Sequence, residues 1–188
     1  QPDPSYHNLV YADTFGNGGA FITKATVQLM RDFGSIQSPQ NAFYLNLGLE
    51  SLHVRMAQHC KNGQAVAEAL ANNPKVAHVS YPGLPGDKYY ELAQKYLPNG
   101  SCGVITVDVA GGREAAEKFL GNLKVFSIAT HVADARSCCL HPASSTHRQL
   151  TDEELVAAGI TPGTVRLSCG IEGTEDLIND VEQALAAL

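Results

Sequence analysis

The sequence predicts an α+β domain, a mainly antiparallel sheet with helices on one face, preceded by a long linking helix. Three observations carry that prediction. Apolar residues at helical spacing run unbroken from Ser38 to Asn73-Pro74. After that proline, short strand and helix patterns alternate to the C-terminus. Two of the strand patterns follow one another with no helix between them, which favours antiparallel pairing and an α+β arrangement.

The elements follow in order. Residues 1–19 are rich in Pro, Gly, Asn and Asp and read as loop. Thr23 to Phe33 reads as a helix. Ser38-Pro39-Gln40-Asn41 is a helix start, with Ser38 as N-cap and Pro39 at the first helical position. Ala42, Leu45, Leu49, Leu52 and Met56 then step along one face, and the pattern continues through Val66 and Leu70. Val76 to Tyr81 reads as a strand, Asp87 to Tyr96 as a helix, Gly103 to Val109 as a strand and Arg113 to Leu120 as a helix. Val125 to Thr130 and Ser137 to His141 are the two consecutive strands. Thr151-Asp152-Glu153-Glu154 has capping-box spacing, with acidic charges that suit a helix N-terminus. Thr164 to Glu172 is the last strand. Thr174 is expected to cap a final helix with Leu177, Val181 and Leu185 inside. The expected organisation is 1–37 as the tail of another core, 38–74 as connecting helix and 75–188 as the α+β domain. The opening Gln1-Pro2-Asp3-Pro4 reads as the middle of a loop, so the expectation is a piece of a longer protein.

With 188 residues, 44% of them apolar, the chain has enough material for one well-buried domain. A formal net charge of -6 and the lack of a basic run argue against nucleic acid or an anionic membrane as partner. No apolar run is long enough to span a bilayer and no signal-peptide pattern is present, so a cytoplasmic location is expected. Cys60, Cys102, Cys138, Cys139 and Cys169 form no C-x-x-C pair and suggest neither a disulfide framework nor a metal site.

The last strand holds the most informative residue. Alternation puts Val165, Leu167, Cys169 and Ile171 on one face and Thr164, Arg166, Ser168 and Gly170 on the other. A guanidinium among small neighbours leaves room for a ligand, and its planar fork matches a carboxylate. The competing reading is an arginine on a solvated face. His131, Asp134 and Arg136 fall in a polar connection between strands, where binding groups are common, although such loops are polar in any case. His141-Pro142-Ala143-Ser144-Ser145-Thr146-His147 reads as a strand end entering a polar loop. It lacks the acidic partner of a zinc set. Lys24 fits a surface helix position, and Gly111-Gly112 lacks the dinucleotide pattern. No segment offers a nucleophile with its base, so the residues describe a sub-domain that orients a ligand.

These segments together resemble the Cys/Met-metabolism family of pyridoxal-phosphate enzymes, over nearly the whole chain. The motifs are Val165-Arg166-Leu167-Ser168-Cys169-Gly170-Ile171-Glu172, the segment from His141 to His147, Asp134-Ala135-Arg136-Ser137 and Ser38-Pro39-Gln40-Asn41-Ala42-Phe43. Tyr81-Pro82-Gly83-Leu84, Lys95-Tyr96-Leu97-Pro98 and 153–159 add to them. Within the family the chain looks most like the aminocarboxypropyltransferase branch, the O-acetylhomoserine sulfhydrylases. The resemblance implies the C-terminal small domain of a fold-type I enzyme, usually a homotetramer, with residues 1–37 ending its large cofactor-binding domain.

It also implies roles. Arg166 binds the substrate α-carboxylate, Thr146 lines the same pocket, and His131 lies near the carboxylate where relatives have Ser or Asn. Ala133 replaces a glycine and Cys169 a valine. No catalytic or cofactor-binding residue is implied in this chain: the Schiff-base lysine and the other pyridoxal-phosphate ligands belong to an N-terminal half, so the chain alone is expected to be inactive. The implied reaction is γ-replacement, in which O-acetylhomoserine and sulfide or methanethiol give homocysteine or methionine, with Arg166 aligning the Cα–H bond with the cofactor. A γ-lyase acting on cystathionine or methionine, or a stand-alone module for small carboxylates, are the alternatives.

Overall fold

The computed structural model describes residues 1–188, which divide into two compact units, 1–50 and 51–188. The first unit is helical. α1 (Tyr11–Thr23) runs through a π-helical stretch (Lys24–Met30) into the short α2 (Arg31–Phe33), and α3 (Pro39–Glu50) follows. The helix therefore begins inside the region expected to be loop. Gly16 sits at φ +68 and kinks α1 rather than ending it. What local composition could not show is a bond across 17 residues: Tyr11 Oη donates to Gln28 Oε1 at 2.6 Å. Gln28 in turn donates to Ser5 Oγ at 2.8 Å.

The expected single connecting helix is two helices. Ser38 does cap the first, its Oγ accepting from Asn41 N at 3.2 Å. The run breaks at Ser51 (φ -104, ψ 2), and α4 (Leu52–Ala71) belongs to the second unit. The apolar stripe that steps along this helical pattern starts exposed, at Leu45, Leu49 and Leu52. Burial begins about two turns later, with His59, Asn62, Gly63, Val66, Ala67 and Leu70.

The second unit is built on a five-stranded sheet of order β1-β2-β5-β4-β3. The strands are β1 (Val76–Ser80), β2 (Val104–Val109), β3 (Ser127–Ile128), β4 (Cys138–Leu140) and β5 (Thr164–Ser168). β1–β2, β2–β5 and β4–β5 pair antiparallel. β3 and β4 pair parallel, which corrects the expectation for two strands joined without a helix. The strands are so short that the loop between them reverses the chain easily, and that loop is tied to β5 rather than closing a hairpin.

The helices complete the layer. α5 (Tyr90–Tyr96) and α6 (Gly112–Asn122) lie between strands, α7 (Asp152–Ala157) precedes β5, and α8 (Thr174–Ala186) ends the chain. Ile105, Val107, Val109, Val165, Leu167, Cys169 and Cys139 form one sheet face and pack in a single core with α4, α6 and α8 through Val66, Leu70, Phe119, Leu177, Val181 and Leu185. Burying each such aliphatic or aromatic side chain contributes roughly 1.5–3 kcal/mol. The capping box of α7 forms as expected, with Thr151 N donating to Glu154 Oε2 at 2.8 Å and Glu154 N to Thr151 Oγ1 at 3.3 Å. α8 differs: its N-cap is Gly173, and Thr174 Oγ1 donates to Asn62 Oδ1 at 2.7 Å.

Candidate functional site

The opposite face of the sheet carries the ligand-type groups. In register with one another, Ser80, Thr106, Arg166 and Leu140 span four strands on that face. Thr164 and Ser168 flank Arg166 along β5. The strand is central, so main-chain bonds on both sides hold the arginine's Cα, and its half-buried side chain rises from a fixed base. Arg166 Nη2 donates to the Thr130 carbonyl at 3.1 Å. No carboxylate forms a salt bridge with it, whereas Lys24–Asp3, Arg31–Asp32, Arg113–Asp152 and Arg136–Asp134 do pair. A guanidinium has five donors, so most of the fork remains available to an anion. A concavity of about 460 Å³ lies against Thr106 and Thr164 on this face, beside Arg166 rather than around it.

The loop 129–136 adjoins Arg166. Besides the Thr130 carbonyl, it is held by Ala133 N donating to Ser168 Oγ at 3.1 Å and by Ile171 N donating to the Ala135 carbonyl at 2.9 Å. His131 is exposed and follows directly on Thr130. Ala133 sits at φ +58, a left-handed conformation that glycine adopts at less cost than alanine. Asp134 turns the loop by accepting from Arg136 N at 3.0 Å. That backbone N–H, then the Arg136 side chain, holds the Asp134 carboxyl below the usual carboxylate range.

Thr146 is placed differently from Arg166. It is exposed on the turn after β4, with Oγ1 2.9 Å from His147 Nδ1. The preceding motif is scaffolding. His141 is buried, 2.8 Å from the Pro162 carbonyl through Nε2 and 2.8 Å from Ser144 Oγ through Nδ1. Ser145 Oγ donates to the His141 carbonyl at 2.5 Å. Because a carbonyl only accepts, Nε2 carries a proton. His141 thus ties the end of β4 to the chain entering β5.

Several supports were not legible in the sequence. Glu172 accepts from Ser137 N at 2.6 Å and Ser137 Oγ at 2.8 Å, and Ser137 Oγ accepts from Gly170 N at 2.7 Å. Gly170 must be glycine: a Cβ there would overlap the Ala135 carbonyl and stand 2.6 Å from Arg136 C. Asp180, buried on α8, accepts from Lys124 N, Val125 N and Phe126 N at 2.8–3.1 Å. Asn62 donates to the Gly170 and Glu172 carbonyls at 3.0 and 2.9 Å. These partners lie 33 to 110 residues apart in sequence, and no spacing rule connects them.

A pyridoxal-phosphate site needs a lysine able to form a Schiff base and an Asp or Arg partner for the pyridine nitrogen. This chain's residues do not fit that requirement. None of its lysines is buried. Lys24, in the first unit, donates to Asp3 Oδ2 at 2.7 Å. That bond raises the lysine's pKa and holds Asp3 down at about 2, the opposite of what a nucleophilic lysine requires.

Comparison with known proteins gives one consistent answer. Residues 11–186 match the family model described as Cys/Met metabolism PLP-dependent enzyme. The chain is 47% identical to O-acetyl-L-homoserine sulfhydrylase of Leptospira meyeri, across 98% of this chain and 44% of that protein. It is 43% identical to L-methionine gamma-lyase of Fusobacterium nucleatum subsp. polymorphum, across 81% of this chain and 38% of that protein. It superposes with a TM-score of 0.82 on the 2.35 Å crystal structure of an O-acetylhomoserine (thiol)-lyase from Campylobacter jejuni that carries N'-pyridoxyl-lysine-5'-monophosphate. That pair shares 38% identity and covers 98% of this chain and 44% of the other. The chain spans less than half the length of each of these relatives.

Proposed function

This chain belongs to the Cys/Met-metabolism family of pyridoxal-phosphate-dependent enzymes, and from that premise we propose that it is the substrate-orienting portion of an O-acetylhomoserine sulfhydrylase. The whole protein would exchange the acetate of O-acetylhomoserine for sulfide or methanethiol, giving homocysteine or methionine. When bound, pyridoxal phosphate supplies an electron sink for the bond changes along the substrate's carbon chain. Its lysine and ring partners would come from residues other than those of this chain.

One observation supports the reading above all: a guanidinium on the central strand, half-buried, unpaired with any carboxylate and held at one nitrogen by the Thr130 carbonyl. Such a fork is ready to take a substrate α-carboxylate in a bidentate pair. Fixing the carboxylate fixes the Cα beside it, so the reacting bonds are presented in one orientation and rotational freedom is lost before chemistry begins. In this proposal Thr146 lines the same pocket and His131, beside Thr130, meets the carboxylate from the loop. Sequence similarity to sulfhydrylases at 47% identity over nearly the whole chain supports the transferase class.

A second reading, γ-elimination, is favoured by the similarity to a methionine gamma-lyase. The two separate in one assay. Whole protein given O-acetylhomoserine and sulfide should form homocysteine and release acetate; consumption of cystathionine or methionine alone would reject the transferase. The proposal extends to a cytoplasmic homotetramer. The exposed apolar residues of α3, Phe43, Leu45, Leu47 and Leu49, give such an assembly a surface to cover, and light scattering of the whole protein tests it.

A further inference from the structure

We propose that Ser168 is a positioning residue for Arg166, acting through the loop 129–136; the inference rests on the reading of Arg166 as the carboxylate fork. Ser168 and Arg166 are two residues apart on β5, so both side chains stand on the same sheet face. Each reaches the same loop at a different point. The Ser168 hydroxyl oxygen accepts the Ala133 N–H at 3.1 Å, and the Thr130 carbonyl accepts from Arg166 Nη2 at 3.1 Å. Loop and strand thus close a ring in which one hydroxyl fixes the backbone that fixes the guanidinium.

Three facts make Ser168 the pin rather than a bystander. It is buried, 2% exposed, so its bond competes little with water. Its partner Ala133 is held at φ +58, a conformation that does not persist in an alanine without outside restraint. Of the loop's other ties to the sheet, Ala129 N to the Cys139 carbonyl lies before Thr130 and Ile171 N to the Ala135 carbonyl lies beyond Ala133, so between them the loop is held by Arg166 and by the Ser168 hydroxyl. Without the hydroxyl, the Thr130 carbonyl loses its fixed place and the fork loses its reference. Ser168 touches no reacting atom in this scheme, so its removal should weaken carboxylate binding more than turnover.

The test uses the whole holoenzyme. Ser168→Ala should raise the KM for O-acetylhomoserine about tenfold, the size of one lost hydrogen bond, with kcat changed less than about threefold and cofactor absorbance retained. In an Arg166→Ala background the same change should leave KM where Arg166→Ala alone put it, because the pin then has nothing to hold. Ser168→Cys, which keeps the size but offers a weak acceptor, should give a smaller rise of the same kind, and it serves if Ser168→Ala does not fold. A wild-type KM in Ser168→Ala or Ser168→Cys overturns the proposal. So does an equal KM rise in both backgrounds, which would mark a merely structural serine. If Arg166→Ala itself leaves KM unchanged, the carboxylate reading fails, and this inference with it; a raised KM there beside a normal one in Ser168→Ala removes only the pin.

Discussion

The two faces of β5 are made from alternate residues of one five-residue strand, yet they are organised on different principles. Val165 and Leu167 are fully buried against α4, α6 and α8. Their contribution depends on area and packing, and their orientation matters only as far as it fills space. Thr164, Arg166 and Ser168 face the other way, among hydroxyls and loop backbone. There the number of contacts is small and each has a direction. The apolar face gives the strand its stability, and the polar face uses that stability to hold a charged group short of full pairing. Cys138 and Cys139 repeat the contrast next door: adjacent residues of β4, they lie on opposite faces. Deeper burial pushes the Cys139 thiol up to about 12, so it stays protonated and inert.

If the contrast holds, substitutions on the two faces should fail in different measurements. Arg166→Ala should produce the largest effect. Loss of a bidentate charge pair in a closed site costs about 2–5 kcal/mol, roughly 30-fold to several-thousand-fold in kcat/KM for O-acetylhomoserine in the whole protein. Its unfolding midpoint should hardly move; a destabilised variant with normal kcat/KM would invert the assignment of the faces. Leu167→Ala should do the reverse, costing about 2–5 kcal/mol in denaturant unfolding while the folded fraction keeps its KM.

Acid should also separate them. Asp134 has a depressed folded pKa, so its stabilisation of the loop is present above the ordinary aspartate value near ~4 and is lost as pH falls through the lower folded value. Amide exchange in 130–136 should therefore quicken below about pH 4 before exchange changes at Val165 or Leu167. Simultaneous loosening would dissolve the distinction. The smallest expected effect is Ala133→Gly. Relief of the left-handed alanine, partly offset by glycine's freedom in the unfolded chain, should stabilise by about 0.5–1 kcal/mol in the same unfolding experiment.

Much of this was legible in advance, for identifiable reasons. The capping box at Thr151, the Ser38 cap and the in–out order of β5 depend on neighbours within four residues, and each formed where expected. Arg166 stands out because its flanking residues are small, a property visible in the strand itself. The break at Ser51 was not visible, because the helical pattern continues straight through it. Nor was the start of α1 at Tyr11, which rests on Gln28. The parallel β3–β4 pair escaped because its connection answers to β5. His131 and Thr146 are marked by motif alone. The chain presents both as exposed loop residues, and Arg166 alone among the three proposed site residues stands on the sheet.

The amino-acid order by itself determined which residues of β5 share a face and where the caps at Ser38 and Thr151 form, since those follow from stereochemistry over a few bonds. Tertiary structure alone decided that the Thr130 carbonyl meets a guanidinium 36 residues away, that Ser168 pins Ala133, and that Glu172 closes on Ser137. Such meetings depend on where a whole sheet brings distant backbone together, and periodicity along the chain carries no record of that distance.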